Sequence, residues 1–308
     1  MTNRVLITGV HGFCAGHLVR RLMADGVAHI FGVDIHPAPP EKLDLRGYSR
    51  LDITIQSQVD DTIQAVKPDV VFHLAGITRG TAVQVYHVNF LGSVYLLEAV
   101  HRVVPGARVL LVGSAAEHGH VPEGEMPVRE TYPCNPFTPY GISKYSMTLA
   151  AMGYGRDHGV KVIVARPFNI VGPGMPASLV VGAVLERIRK ALKERPGPVV
   201  VSVGNLETER DFIAVDDVVD AYITMARGAC WGEVFNICSG VPRSVRSVLE
   251  ELVSFSTQRI RLQTEPGLQR PTDVPVMYGS WEKAHKAFGF KPRKSLTESL
   301  REAWESSE

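Results

Sequence analysis

The sequence predicts a doubly wound α/β fold, a parallel sheet with helices on both faces. Three observations carry this. Short runs rich in Val, Ile and Leu recur without polar alternation, the pattern of strands buried on both faces. Helical stretches separate them in regular alternation, which calls for parallel strands joined by right-handed crossovers. The first strand also runs directly into a glycine-containing turn, Thr8-Gly9-Val10-His11-Gly12-Phe13, followed by a helical pattern.

In chain order, the expected strands of the first half are Arg4–Ile7, His29–Val33, Val70–Leu74, Arg108–Val112 and Val160–Ala165. The helices between and after them are Ala15–Ala24, Gln56–Val66, Val83–Val104 and Tyr140–His158. After about Arg166 the rhythm breaks, and Pro and Gly thicken at Gly172-Pro173-Gly174 and Pro196-Gly197-Pro198. Shorter strands follow at Val199–Val203, Val234–Ile237 and Ile260–Leu262. Helices are expected over Val180–Lys193, Asp216–Ala226, Ser244–Ser254, Trp281–Phe288 and Leu296–Trp304. The reading is a dinucleotide-binding part over 1–166 and a smaller substrate-binding α/β part over 167–308, with some segments of the latter returning to the main sheet.

The composition narrows the function. Lys and Arg number 33 against 32 Asp and Glu, so the chain has no overall field with which to grip nucleic acid, and any phosphate site must be local. With 45% hydrophobic and 21% charged residues the chain is neither disordered nor a coiled coil. No apolar run reaches the ~20 residues that span a bilayer. The first strand leaves no room for a signal peptide. Cys14, Cys134, Cys230 and Cys238 form no C-x-x-C pair and no zinc-like spacing, so no metal is expected and the cysteines read as buried free thiols. These features point to a cytoplasmic enzyme.

The turn after the first strand suits a dinucleotide. Gly9 permits the tight turn, Gly12 lets pyrophosphate approach the backbone, and the helix start offers free N–H groups. The second strand ends at Asp34, roughly 20 residues on, where a carboxylate can accept both ribose hydroxyls of NAD and repel the 2′-phosphate of NADP. NAD is the expected cofactor. NADP stays open through His36, the one nearby candidate cation.

Tyr140 and Lys144 stand i,i+4 apart on one helix face. A phenol beside an ammonium and an oxidised nicotinamide is expected to have a lowered pKa, which makes it a usable acid or base for a carbinol or carbonyl oxygen. Ser114 follows the strand Arg108–Val112 at the sheet edge where doubly wound folds place chemistry, and its hydroxyl can bond the same oxygen.

These motifs together resemble the extended short-chain dehydrogenases/reductases that act on nucleotide sugars. The resemblance covers nearly the whole chain, including His73-Leu74-Ala75-Gly76 and Arg166-Pro167-Phe168-Asn169. It implies a Rossmann-type sheet and a cofactor site of Gly9, His11, Gly12, Phe13, Cys14, Asp34, Asp52, Ile53, Leu74, Ala75, Gly76, Asn89, Tyr140, Lys144 and Pro167. Asp52-Ile53 resembles the adenine-contacting pair, Leu74-Ala75-Gly76 the segment under the pyrophosphate and ribose, and Asn89 a support for the cofactor. Ala15 stands where the family turn has its third glycine.

The segments 203–212 and 270–274 narrow the resemblance to enzymes of GDP-mannose 4,6-dehydratase and GDP-4-keto-6-deoxymannose reductase type. Asn169, Arg210, Arg270 and Ser114 are then the implied substrate contacts, with the arginines forking to diphosphate or ribose. One departure decides the chemistry. Where the dehydratases place a Glu two residues after the Ser/Thr, this chain has Ala116, and the adjacent Glu117 is expected to point elsewhere. Dehydration is therefore not expected. Two enzyme readings remain: C4 reduction of a GDP-4-keto-6-deoxymannose-type sugar, and NAD-dependent 4-epimerisation. A non-catalytic NAD-binding regulator is a third reading, opposed by the intact Ser114, Tyr140 and Lys144. The apolar Val83, Val94, Leu97, Val100, Met147, Leu149 and Met152 lie on the two helices that pair across a two-fold axis in this family, which implies a homodimer.

Overall fold

A computed structural model describes residues 4–194, 198–268 and 274–306. In chain order its elements are β1 (Val5–Thr8), α1 (Phe13–Ala24), β2 (Ile30–Asp34), β3 (Gly47–Arg50), α2 (Gln56–Val66), β4 (Val70–His73), α3 (Ala82–Tyr86), a π-helical turn (His87–Leu91), α4 (Gly92–Val103), β5 (Arg108–Val112) and α5 (Pro139–His158). The remainder comprises β6 (Lys161–Pro167), β7 (Asn169–Val171), α6 (Val180–Glu194), β8 (Val199–Val203), β9 (Glu209–Ala214), α7 (Val215–Arg227), β10 (Glu233–Ile237), β11 (Pro242–Ser244), α8 (Val245–Ser254), β12 (Ile260–Thr264), β13 (Val276–Met277), α9 (Glu282–Phe288) and α10 (Leu296–Glu305).

Seven strands form one all-parallel sheet in the order β10-β6-β5-β4-β1-β2-β3. The chain order reverses between β1 and β4, so their carboxyl ends border the crevice where doubly wound sheets bind ligands. The apolar runs explain the centre of this sheet, since every residue of β1 and β4 is buried. On one face, Leu18 and Val19 of α1 pack with Val218 and Tyr222 of α7. On the other, Val59 and Ile63 of α2 pack with Leu97 and Val100 of α4 and with Met147 and Ala151 of α5. A third core joins α6, β8, α8 and α10 through Val184, Ile188, Val201, Leu249 and Leu300.

β10 pairs with β6, with Val234 opposite Val164, so a strand from the second half completes the main sheet. β3 has no apolar run because it is a half-exposed edge strand. The helical stretch expected over Val83–Val104 is interrupted by the π turn, which carries the fully buried Asn89. α5 starts where the sequence says it should: the Thr138 hydroxyl accepts the Gly141 N–H, Pro139 occupies the first turn, and Gly159 ends the helix at φ 67°.

Three of the residues expected on a dimer face, Leu97, Val100 and Met147, belong to the chain's own core, while Val83 and Leu149 are 73% and 55% exposed. All four cysteines are free, as expected, but only Cys238 is fully buried; the other three are half-buried. No helix among the described residues is long and apolar enough to cross a membrane.

Candidate active site

The turn after β1 and the segment after β4 touch. Gly9 has φ 69°, and a Cβ built on it would lie 2.7 Å from the Ala75 Cα, so this turn needs glycine twice over. Gly12 is the extended N-cap of α1, no side chain caps the helix, and its first turn holds no acidic residue. The leading N–H groups of α1 are thus left to an anion, which fits a dinucleotide pyrophosphate. The half-buried Phe13 sets its ring edge-on to His17 and packs between the first and third cores. Beside it, burial pushes the Cys14 thiol up to about 12, so it stays protonated.

Asp34 closes this end. One carboxylate oxygen accepts the His11 N–H at 3.1 Å and the other accepts the His36 N–H at 3.2 Å. Each oxygen keeps a lone pair for a ribose hydroxyl. His11 stacks on His36 at 4.4 Å, and its ring bonds the Ala38 carbonyl. Strand pairing sets Arg50 opposite Asp34, and the Arg50 Nε donates to the Ile35 carbonyl at 3.1 Å. No local pattern points to Arg50, because only the β2–β3 ladder brings it there. An Asp52 carboxylate oxygen accepts both the N–H and the O–H of Thr54, and Ile53 is buried against Gly92.

A chain of hydrogen bonds runs beneath the 74–77 segment. The Ala75 N–H donates to Thr8 Oγ1 at 3.2 Å, and Thr8 lies 2.7 Å from His73 Nδ1. His73 Nε2 lies 2.9 Å from Ser93 Oγ, which donates to the Asn89 carbonyl at 2.8 Å. Ser93 has spent its proton on that carbonyl, so His73 donates from Nε2 and accepts from Thr8 at Nδ1. Burial first, and Lys144 second, push His73 down to about 3, which keeps this single arrangement neutral. Asn89 then bonds Ile77 N–H and carbonyl at 2.8 Å each, and donates to Ser143 at 3.0 Å. Ser143 in turn donates to the Tyr140 carbonyl at 2.7 Å. The loop carrying Leu74, Ala75 and Gly76 is thereby tied to the helix of Tyr140 and Lys144. Gly76 abuts Asn89 Oδ1 and Lys144 Nζ, each 3.1–3.2 Å from where its Cβ would stand.

Ser114 follows β5; its Oγ accepts the Ala116 N–H at 3.2 Å, and its hydroxyl is near enough to Tyr140 to draw the phenol's pKa down. Lys144 donates to the Val112 carbonyl at 2.9 Å. The expected lowering of the Tyr140 pKa belongs to the site with an oxidised nicotinamide bound; the protein's own groups act the other way. Burial pushes the phenol above its ordinary value of 10.0, Glu117 and Cys14 push the same way, and only the Ser114 hydroxyl opposes them. Lys144 is driven down to about 8 by the same burial. The phenol is thus held as an acid near neutral pH.

Glu117 does point elsewhere. It is fully buried, and Arg166 forks onto one of its oxygens through Nε at 3.1 Å and Nη2 at 2.8 Å. Pro167 ends β6 opposite Ile237, and Asn169 opens β7 with its amide donating to the Asp211 carbonyl at 2.8 Å. Arg210 donates to the carbonyls of Glu209 and Pro275. Arg270 lies outside the described residues. The motif reading missed the role of Asp211: its buried carboxylate accepts N–H groups from Ser239, Gly240 and Gly279, plus the Ser239 hydroxyl. That hub fixes the strand from which Arg210 projects.

The fold and this cluster define an NAD(P)-dependent enzyme of the short-chain dehydrogenase/reductase type. The chain belongs to the NAD dependent epimerase/dehydratase family, whose profile matches residues 5–238. It is 30% identical to a GDP-6-deoxy-D-mannose reductase of Pseudomonas aeruginosa, over 99% of this chain and 98% of that protein. The structure of RMD from Pseudomonas aeruginosa complexed with NADPH is similar at TM-score 0.82 and 27% identity, covering 99% and 98% of the two chains. A Thermus thermophilus UDP-glucose 4-epimerase complex with NAD is similar at TM-score 0.86 and 27% identity, covering 98% of each chain.

Proposed function

We propose that the chain reduces the C4 ketone of a GDP-4-keto-6-deoxymannose-type nucleotide sugar, giving GDP-rhamnose or GDP-6-deoxytalose. Bound NADH or NADPH supplies the hydride. Tyr140 donates its proton to the C4 oxygen, Ser114 bonds the same oxygen, and Lys144 helps hold the cofactor end beside them. Gly9, Gly12 and the start of α1 take the pyrophosphate, and Asp34 takes the ribose. Asn169, Arg210 and Arg270 take the sugar diphosphate.

One observation carries this reading. The carboxylate nearest Ser114 in sequence is turned inward onto Arg166, and Ala116 stands where a dehydratase needs its acid. The protonated Tyr140 next to Ser114 can serve C4, whereas the Glu117 carboxylate is held by Arg166 rather than offered to C5 and C6. Two incubations test this. A supplied GDP-4-keto-6-deoxymannose should consume NADH stoichiometrically. GDP-mannose with NAD+ should yield no 4-keto product, and robust formation of that ketone would refute the assignment of Ala116.

The 4-epimerase reading is favoured by Asp34, since an epimerase retains NAD through its cycle. Loss of NADH absorbance during turnover separates the two, because epimerisation consumes none.

Asp34 leads us to expect a preference for NADH over NADPH in kcat/KM. The size should be about tenfold, a fraction of the ~4 kcal/mol that unit charges 4 Å apart exchange near a protein surface, because Arg50 and His36 flank the carboxylate. Tighter use of NADPH would show that these two groups outweigh Asp34.

We also infer a C2 homodimer through α3, α4 and α5. The exposed Val83 and Leu149, with the half-buried Val94 and Met152, supply its apolar surface. Light scattering at micromolar concentration that returned a mass near the chain's 33.7 kDa would contradict it.

A further inference from the structure

We propose that Glu117 is a positioning residue: one buried carboxylate that locks the Ser114 loop, the helix of Tyr140 and Lys144, and strand β6 into a single catalytic geometry. The proposal rests on the hydride-transfer reading of this site.

The geometry is specific. One Glu117 oxygen accepts the Ser114 N–H at 2.8 Å. The other accepts the Thr148 hydroxyl at 2.9 Å, one turn beyond Lys144 on α5, and both Arg166 donors. A Cβ on Gly113 would stand 2.3 Å from the first oxygen, so the loop admits this carboxylate only because residue 113 has no side chain. Three segments distant in sequence, each bearing or abutting a reacting group, thus share one acceptor. Removing it leaves Arg166 unpaired in the interior and frees the Ser114 loop from α5.

The carboxylate also acts through its charge. Arg166 on β6 faces it directly. Tyr140 and Lys144 face it from α5, and Cys134 from the segment before that helix. His118 beside it is kept neutral, pushed to about 3 by burial and then by Arg166. The Glu130 charge also acts on Arg166. Within this set the Glu117 charge raises the Tyr140 pKa and so keeps the proton that reduction delivers.

Glu117→Gln retains the shape and removes the charge. With Tyr labelled at the ring carbon bearing oxygen, and with Tyr140→Phe assigning the signal, NMR titration should show Tyr140 losing its proton at lower pH in Glu117→Gln than in the wild type. The alkaline limb of kcat should move the same way. kcat should fall about 10–100-fold with KM within threefold, as a misplaced Ser–Tyr pair requires. An unmoved Tyr140 titration would overturn the proposal, because a merely structural carboxylate would cost stability without shifting it. Should Glu117→Gln not fold, Thr148→Val removes one arm of the clamp. It should lower kcat several-fold with NADH affinity unchanged, and wild-type turnover in that variant would overturn the proposal. The titration needs no substrate, so it stands even if the wild type fails to reduce the ketone, a result that would overturn the reductase reading alone.

Discussion

Tyr140→Phe is expected to lower C4 reduction by at least ~10²-fold, the usual range for loss of a positioned general acid being about 10²–10⁴. The substitution removes only the phenol oxygen and leaves the ring, the capped start of α5 and the Lys144 bond to Val112 in place. NADH affinity, read from fluorescence quenching, should stay within about twofold. Retention of more than a tenth of wild-type kcat would mean that Ser114 or a water delivers the proton.

Gly9→Ala has the second large effect, and on a different quantity. A residue with a Cβ at φ 69° costs about 1–2 kcal/mol, and here the Cβ also runs into the Ala75 backbone. That backbone cannot retreat cheaply, because Ala75 N–H is bonded to Thr8 and the chain behind it leads through His73 and Ser93 to Asn89. The variant should lose about 2–4 kcal/mol of unfolding free energy in urea. Its NADH affinity should fall at least about tenfold, since the turn that receives the pyrophosphate is pushed off the 74–77 segment. Wild-type stability would show that the two loops are free to part.

Much of this was legible in the chain. Buried strands such as Val70–His73 and Arg108–Val112 announce themselves because a parallel sheet with two covered faces tolerates only apolar residues. Tyr140, Lys144 and the β1 turn are local patterns, readable at helix and turn spacing. The rest depends on pairings across long sequence separations. Arg50 reaches Asp34 through the edge ladder of a strand with no apolar run, Glu117 meets Arg166 across 49 residues, and Thr8 meets His73 across 65. Asn89 gave no local sign of the π turn, since what turns it inward is the backbone of Ile77 on another loop. The upward push that burial gives the Tyr140 phenol was not legible either, because an i,i+4 ammonium is visible in sequence, whereas burial is not.

The late arrival of β10 has a consequence for synthesis on the ribosome. β6 ends at Pro167, but the strand that pairs with it ends at Ile237, about 70 residues later. At ~5–20 residues per second, the emerging polypeptide carries that open edge for roughly 4–14 s. The edge is Val-Ile-Val-Ala, apolar and extended, the kind that recruits a neighbouring nascent chain. Yield should therefore respond to translation speed across this interval and to holdases that occupy exposed strands, while the finished protein, with the edge covered, should be indifferent to both.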